Sequence, residues 1–508
     1  MYLPENALRP APITGRLPVK AASIALSLIF LQLAGLAVIG TQLVPLSCLA
    51  IIDVASLFLL ARYGLTDANA LSIVTAAAFH VTGAAVIKLF LGQPLEQFLV
   101  VPDEAFAVEL IFVIALIAAF FTLRVVRIPN LFPERITSPE VLRNVAVATT
   151  LLHVALNLVF ITQTVALNTQ FGESDPISNP FLIAIRGFGT LGLVCATGRA
   201  VLISNRWKLF DPLSFLIVAL NVALGLASNS REGVGAPLVA VFVTAIAFGY
   251  RFHLRTLVAG GLFAFVAVAY ISPALLIVRA DRDTLGPVDR AIRVSEIVYD
   301  YITQSPRVAE YETALSGNAA SGLAHYFGFY QTLADRFALV QTVDLVVDGI
   351  DRHGAMDVDE LPDVLPQLIP GVVLSFFGYE RPPSISPGDI VSWAAGLQPY
   401  GFLSNLAVPG NAEAYAVGGF PAVFYRMFFA YLVCYAAIYL CGGADMRFNV
   451  LAITVFLLFL SPSNGYPAGP LYYFALRILP QFAISYFLII KVAGLFVRAK
   501  PSAAPVTG

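Results

Sequence analysis

Residues 104–123 read EAFAVELIFVIALIAAFFTL, and between Leu110 and Phe121 no polar side chain interrupts the run. Twenty residues in an α-helix rise about 30 Å, the thickness of bilayer hydrocarbon. A helix also satisfies every backbone N–H and C=O without water, so this stretch reads as a membrane span. Working outward, similar stretches lie at 21–42, 45–62, 70–91, 143–166, 180–203, 212–228, 233–250, 256–278, 415–441, 448–462 and 471–494. The expected fold is an all-α polytopic membrane protein with about twelve transmembrane helices, of which the seventh, eighth and eleventh are short.

Composition carries the same message along the whole chain. Of its 508 residues, 58% are hydrophobic and only 12% charged, against about 25% charged in ordinary soluble domains. The mean hydropathy is +0.81. So much apolar surface cannot be hidden from water, which excludes a soluble enzyme, a nucleic-acid binder and a disordered scaffold. The solvent partner is a lipid bilayer. Cys48, Cys195, Cys434 and Cys441 fall in or beside apolar runs with no metal-ligand spacing, and read as small core residues. Residues 1–20 are polar and contain prolines, and no small-residue cleavage site follows, so the first span reads as a retained helix behind a cytoplasmic tail.

Orientation follows from Lys and Arg in short loops. Arg9, Arg16 and Lys20, then Arg62, the 124–143 group, Arg206 with Lys208, Arg251 with Arg255, Arg447, and Arg498 with Lys500 all fall on one side. The opposite connections at 43–44, 92–103, 167–179 and 463–470 contain neither residue. Both termini are therefore expected inside, with 21–278 forming helices one to nine, 415–494 the last three and 495–508 a cytoplasmic tail. Residues 279–414 form one long outer excursion with 18 acids, 8 arginines and no lysine, a net of −10. Helical patterning at 290–303 and 321–349, followed by proline-rich sequence, predicts a small helical cap.

Charges inside or beside spans are costly and mark sites. Arg186, Arg231, Arg279, Arg477 and, deeper, Arg426 lie toward the outer ends of their spans, against the positive-inside trend. Lys88 and Glu109 lie near outer ends and Asp53 nearer mid-span, so the plain alternative pairs each arginine with Glu109, Asp53 or a helix C-terminus. As a set the arginines offer planar, permanently charged forks suited to phosphate and pyrophosphate. His80 and His153 are mid-span and read as hydrogen-bonding neighbouring helices. His325, in GLAHYFGFYQ, is the loop histidine placed to serve as a base, whereas His353 reads as surface. No phosphate loop, nucleophile elbow or His/Cys metal spacing occurs, and the acidic pairs DRD (281–283) and DVDE (357–360) are of the kind that a strongly acidic loop holds by chance.

Several features share one pattern. A short outer turn bears Ser230-Arg231, a large outer loop follows, and that loop carries Ile369-Pro370, Arg381-Pro382 and then Glu413-Ala414-Tyr415-Ala416-Val417-Gly418-Gly419 at the start of a span. This resembles the Wzy-type oligosaccharide repeat-unit polymerases of O-antigen and exopolysaccharide synthesis, relatives of the O-antigen ligases. The likeness covers topology over most of the chain and sequence over about sixty residues; Val417 stands where those proteins carry an aromatic residue, and the turn reads SREG for SRG. The resemblance implies a multi-pass glycosyltransferase of the bacterial inner membrane. It would move a glycan from undecaprenyl pyrophosphate onto a lipid-linked repeat unit at the periplasmic face, without metal or cofactor, beside a chain-length regulator as partner. Arg231 and Arg279, then Arg186, Arg381 and Arg477, would bind the pyrophosphate, with Glu413 or His325 as base. The rivals are an O-antigen ligase or another lipid-linked glycosyltransferase, and a lipid-linked oligosaccharide flippase. The first outer loop lacks the acid of many such transferases, and no repeated halves of the transporter kind are visible.

Overall fold

The computed structural model describes residues 19–126, 128–132, 136, 138–167, 180–227, 231–280, 285–318, 338–357, 359, 361, 376–378, 387–401, 408–465 and 468–498. Every one of the twelve apolar stretches is helical. They are α1 (Val19–Ile39), α2 (Leu43–Tyr63), α3 (Ala68–Leu91), α4 (Pro102–Val125), α5 (Pro139–Leu167), α6 (Pro180–Ile203), α7 (Pro212–Ala227), α8 (Arg231–Ala247) and α9 (254–280). The outer excursion adds α10 (Pro287–Thr303), α11 (Arg307–Asn318), α12 (Leu339–His353) and α13 (Pro387–Ala394) before α14 (Gly410–Cys441), α15 (Val450–Gly465) and α16 (468–498). Among the described residues, six helices are long and apolar enough to cross a membrane: α1, α2, α3, α4, α14 and α16. Shorter apolar helices lie at Gly187–Ile203, Pro212–Ala227, Gly233–Ala247, Leu254–Phe263 and Val450–Leu460.

Their outer surface is apolar. Ile24, Leu28, Phe30 and Val38 on α1, and Leu254, Val258 and Leu262 on α9, are more than half exposed, a distribution that suits lipid and not water. Inside, α4 and α14 pack along one another as the central pair, with Phe106, Phe112, Phe120, Tyr431 and Tyr435 fully buried. Close crossings use small residues, as expected where hydrophobic drive between helices is weak. A Cβ on Gly225 of α7 would sit 2.5 Å from the Gly233 carbonyl carbon of α8. All four cysteines are buried and free.

Loop contacts sort the bundle into two ends. At one end Ala68 N–H donates to the Ala444 carbonyl (2.8 Å), Met446 N–H to Thr66 (2.8 Å), Leu131 N–H to Leu440 (3.0 Å) and Arg251 N–H to Arg206 (3.1 Å). These join the connections 64–67, 126–138, 204–211, 248–253 and 442–449. Here Arg124 pairs with Asp67 and lies over the rings of Tyr63 and Phe120, each 4.8 Å away. At the other end, Gln42 N–H donates to Glu96 (3.1 Å), and the loop before α4 meets the cap helix α12.

Three of the long helices contain a π-turn, where an extra residue is accommodated: Ala78–Thr82 in α3, Ala267–Ile271 in α9 and Phe474–Ile478 in α16. Such turns concentrate at functional positions. Helix α14 differs from its expected form. It begins at Gly410, five residues before the predicted span, and breaks at Gly418 and Gly419, where Gly419 takes φ +64° and ψ −157°. Only glycine reaches that conformation without strain, and Pro421 follows two residues later.

Candidate functional site

The cap helix α12 is wedged into the mouth of the bundle. Its buried face, Val340, Val343, Val347 and Ile350, packs on α4, α14 and the π-turn of α3. Asp344 holds it there: its carboxylate accepts from Val100 N–H (2.9 and 3.0 Å) and Val101 N–H (2.7 Å) just before α4 begins. Burial nonetheless outweighs those two bonds and pushes the Asp344 carboxyl up to about 6. Beside it, Tyr415 O–H donates to Asp351 (3.1 Å) and Met356 N–H to the Ala416 carbonyl (2.8 Å), so the cap is sewn to the first turns of α14.

Glu413 sits in the first turn of α14, inside the helix and not in the loop before it. It is 1% exposed, and Arg426 Nη2 donates to its Oε1 at 2.5 Å. Thirteen helical residues would separate the two by about 20 Å on a straight axis. The Gly418–Gly419 break is what folds Arg426 back to Glu413. The carboxylate also faces the backbone N–H of Ala468 at the start of α16, and Tyr472 lies within electrostatic reach of Arg426. Arg426 Nε makes no hydrogen bond among the described residues. Arg477, in the π-turn of α16, is 4% exposed with its guanidinium 5.1 Å over the Tyr473 ring. Glu413 and Arg477 thus stand on two helices that pack against each other, α14 and α16.

Of the other expected site residues, Arg186 lies in the first turns of α6, Arg231 opens α8 and Arg279 stands next to last in α9. These helix ends are opposite the Arg206–Arg251 contact, on the side of the cap. Their side chains, and all of His325 and Arg381, lie outside the described residues.

The buried acids have partners that sequence reasoning did not assign. Glu109 pairs with His80, whose Nδ1 stands 2.9 and 3.0 Å from the two carboxylate oxygens, and not with an arginine. Asp53 accepts a 2.6 Å hydrogen bond from Thr82. Lys88 donates to the Gln97 carbonyl (2.9 Å) and lies over Phe98. Asn157 Nδ2 of the same helix donates to the His153 carbonyl (2.8 Å), and the His153 ring lies against Gly189 of α6. The one available signal was that His80 and Thr82 flank Glu109 and Asp53 on neighbouring spans, a relation that depth counting alone does not fix.

No family model, no curated protein and no solved structure matches this chain. Its functional reading therefore rests on its own residues and geometry.

Proposed function

We propose that the protein is a membrane-embedded glycan transferase that joins lipid-linked oligosaccharide repeat units at its cap-side face, with arginines holding the pyrophosphate of the undecaprenyl carrier. The observation that carries this reading is the Glu413–Arg426 pair where the cap meets the bundle, at the same end as the helix ends that bear Arg186, Arg231 and Arg279. The segregation of Lys- and Arg-bearing loops to the opposite end supports twelve spans with that end cytoplasmic and the acidic cap outside.

In the reaction, an acceptor hydroxyl oxygen attacks the anomeric carbon, the bond from that carbon to the pyrophosphate oxygen breaks, and the hydroxyl proton passes to a base. The leaving group gains negative charge as it departs, so fixed guanidinium groups favour the transition state over the ground state. Glu413, buried and already committed to Arg426, is better placed to orient that arginine than to take a proton. Arg426, with Nε unengaged, then joins the pyrophosphate set, and His325 is the stronger candidate base.

Purified full-length protein given a defined undecaprenyl-pyrophosphate oligosaccharide, with EDTA present, tests this. Products in a ladder spaced by one repeat unit are the expected result. Transfer onto a different acceptor alone would make it a ligase. Movement of the lipid between leaflets without transfer would make it a flippase. Arg231→Ala should abolish the ladder while the protein stays in the membrane, and Arg231→Lys should restore little because the fork is lost.

A further inference from the structure

A second polar centre lies deeper, where the π-turn of α3 passes between α2 and α4. From that turn His80 faces Glu109 on α4 and Thr82 faces Asp53 on α2, at the distances given above. His80, Glu109 and Asp53 are 1%, 0% and 3% exposed. Two carboxylates thus share the interior with one imidazole and one hydroxyl, and among the described residues no lysine or arginine bonds either of them. Asp53 Oδ2, Ser56 Oγ one turn along α2, and His80 Nε2 are buried without a hydrogen-bond partner among the described residues.

A bare carboxylate in hydrocarbon surroundings is costly and is neutralised by whatever cation reaches it. A hydroxyl cannot supply that charge, and neither can a neutral imidazole. Two protons can. One on His80 Nε2 turns the Glu109 contact into an ion pair, and one on Asp53 Oδ2 leaves Oδ1 to accept from Thr82.

We propose that Asp53, His80 and Glu109 form a proton-binding site in the membrane interior, loaded from the cap side, whose occupancy changes during the protein's working cycle. This goes beyond the transferase reading and does not depend on it. The groups around the site suit proton entry from the cap. Asp344 of α12, which packs directly on the π-turn, and Glu104 in the first turn of α4 are within electrostatic reach of each other, and Tyr431 of α14 is within reach of Glu109. Tyr435, also on α14, is bonded to Ser72 of α3. Lys88 is the one cation of α3 and is engaged with Gln97.

The test is pH-difference infrared spectroscopy of the full-length protein in lipid nanodiscs, with nitrogen NMR of its histidines. The wild type should show a protonated-carboxyl band that titrates reversibly and disappears in Asp53→Asn. Glu109→Gln should change the nitrogen NMR signal of His80, because the carboxylate that meets its Nδ1 is gone. Thr82→Val, which keeps every titratable group, should shift the Asp53 band and so tests the site if Asp53→Asn fails to fold. A carboxyl band untouched by both Asp53→Asn and Thr82→Val would overturn the proposal, as would a His80 signal indifferent to Glu109→Gln. Loss of the band on adding sodium at constant pH would reassign the site to that ion.

Discussion

Two carboxylates in this protein are equally buried and oppositely compensated. Glu413 lies beside a broken helix and is met by Arg426, whose charge is permanent. Glu109 lies beside a π-turn and is met by His80, whose charge depends on a proton and is not permanent. Both spots disrupt a helix to bring polar groups together, the first by glycines and the second by one inserted residue. A fixed cation builds a pocket that holds its electrostatics whatever the solution does, which suits recognition of an anion. An exchangeable cation builds a pocket whose net charge answers to its surroundings, which suits a step in a cycle. The cap helix α12 touches both regions, since it packs on α14 and on the π-turn alike.

The comparison breaks most directly at Arg426. Arg426→Ala leaves Glu413 buried without its cation and should cost about 3–5 kcal/mol in thermal unfolding measured in detergent. Arg426→Ala/Glu413→Leu should recover most of that loss. A single substitution as mild as a surface change would mean that the pair is solvated and the contrast is false.

Asp344 sharpens the contrast, because its partners are backbone N–H groups that carry no charge. Its carboxyl is raised from 3.8 to about 6 by burial, so the folded state holds the proton more tightly than the unfolded chain. That stability is fully present below about pH 4 and is lost as pH rises through about 6, a change of about 3 kcal/mol. Asp344→Asn keeps an acceptor for one N–H and cannot titrate. A pH series of unfolding temperatures should show the slope between those values in the wild type and a flattened one in the variant, which should be the more stable above pH 7.

The smallest effect belongs to Glu109→Gln, at about 1 kcal/mol. The glutamine of that variant is neutral and keeps polar atoms beside His80, whereas Arg426→Ala leaves a buried carboxylate that must take up a proton to lose its charge. A cost equal to that of Arg426→Ala would show that His80 is locked as a cation and would erase the distinction between the two sites.

Helix positions were legible because lipid exposure writes hydropathy into each span independently of its neighbours. The sorting of Arg206, Arg251 and Arg447 onto one side was legible for the same reason, as insertion reads local charge. The pairings were not. Glu413 and Arg426 meet only because Gly419 takes a positive φ, and a sequence shows the GGFP stretch without showing which way the chain turns there. His80 meets Glu109, 29 residues away, through a π-turn that no residue type announces. The cap was expected as a small helical unit. Its helix α12 packs on α4, α14 and the π-turn, since Val340, Val343 and Val347 form an apolar stripe that must be buried against something, and the sequence does not name the partner.

The contacts at the end away from the cap bear on how the chain is made. Ser72 on α3 bonds Tyr435 on α14, 363 residues later, at 3.1 Å, and residues 66–68 are tied to 444–446 in a short antiparallel bridge. A ribosome delivers the first four helices long before α14 exists, so the groove along α4 stands open to lipid through most of synthesis. The early helices must therefore be held apart from wrong neighbours, by the insertion machinery or by lipid itself, until the tenth apolar segment arrives. A chain cut short after the cap lacks the helix that its first third was shaped to receive, and cellular quality control would treat it as unfinished.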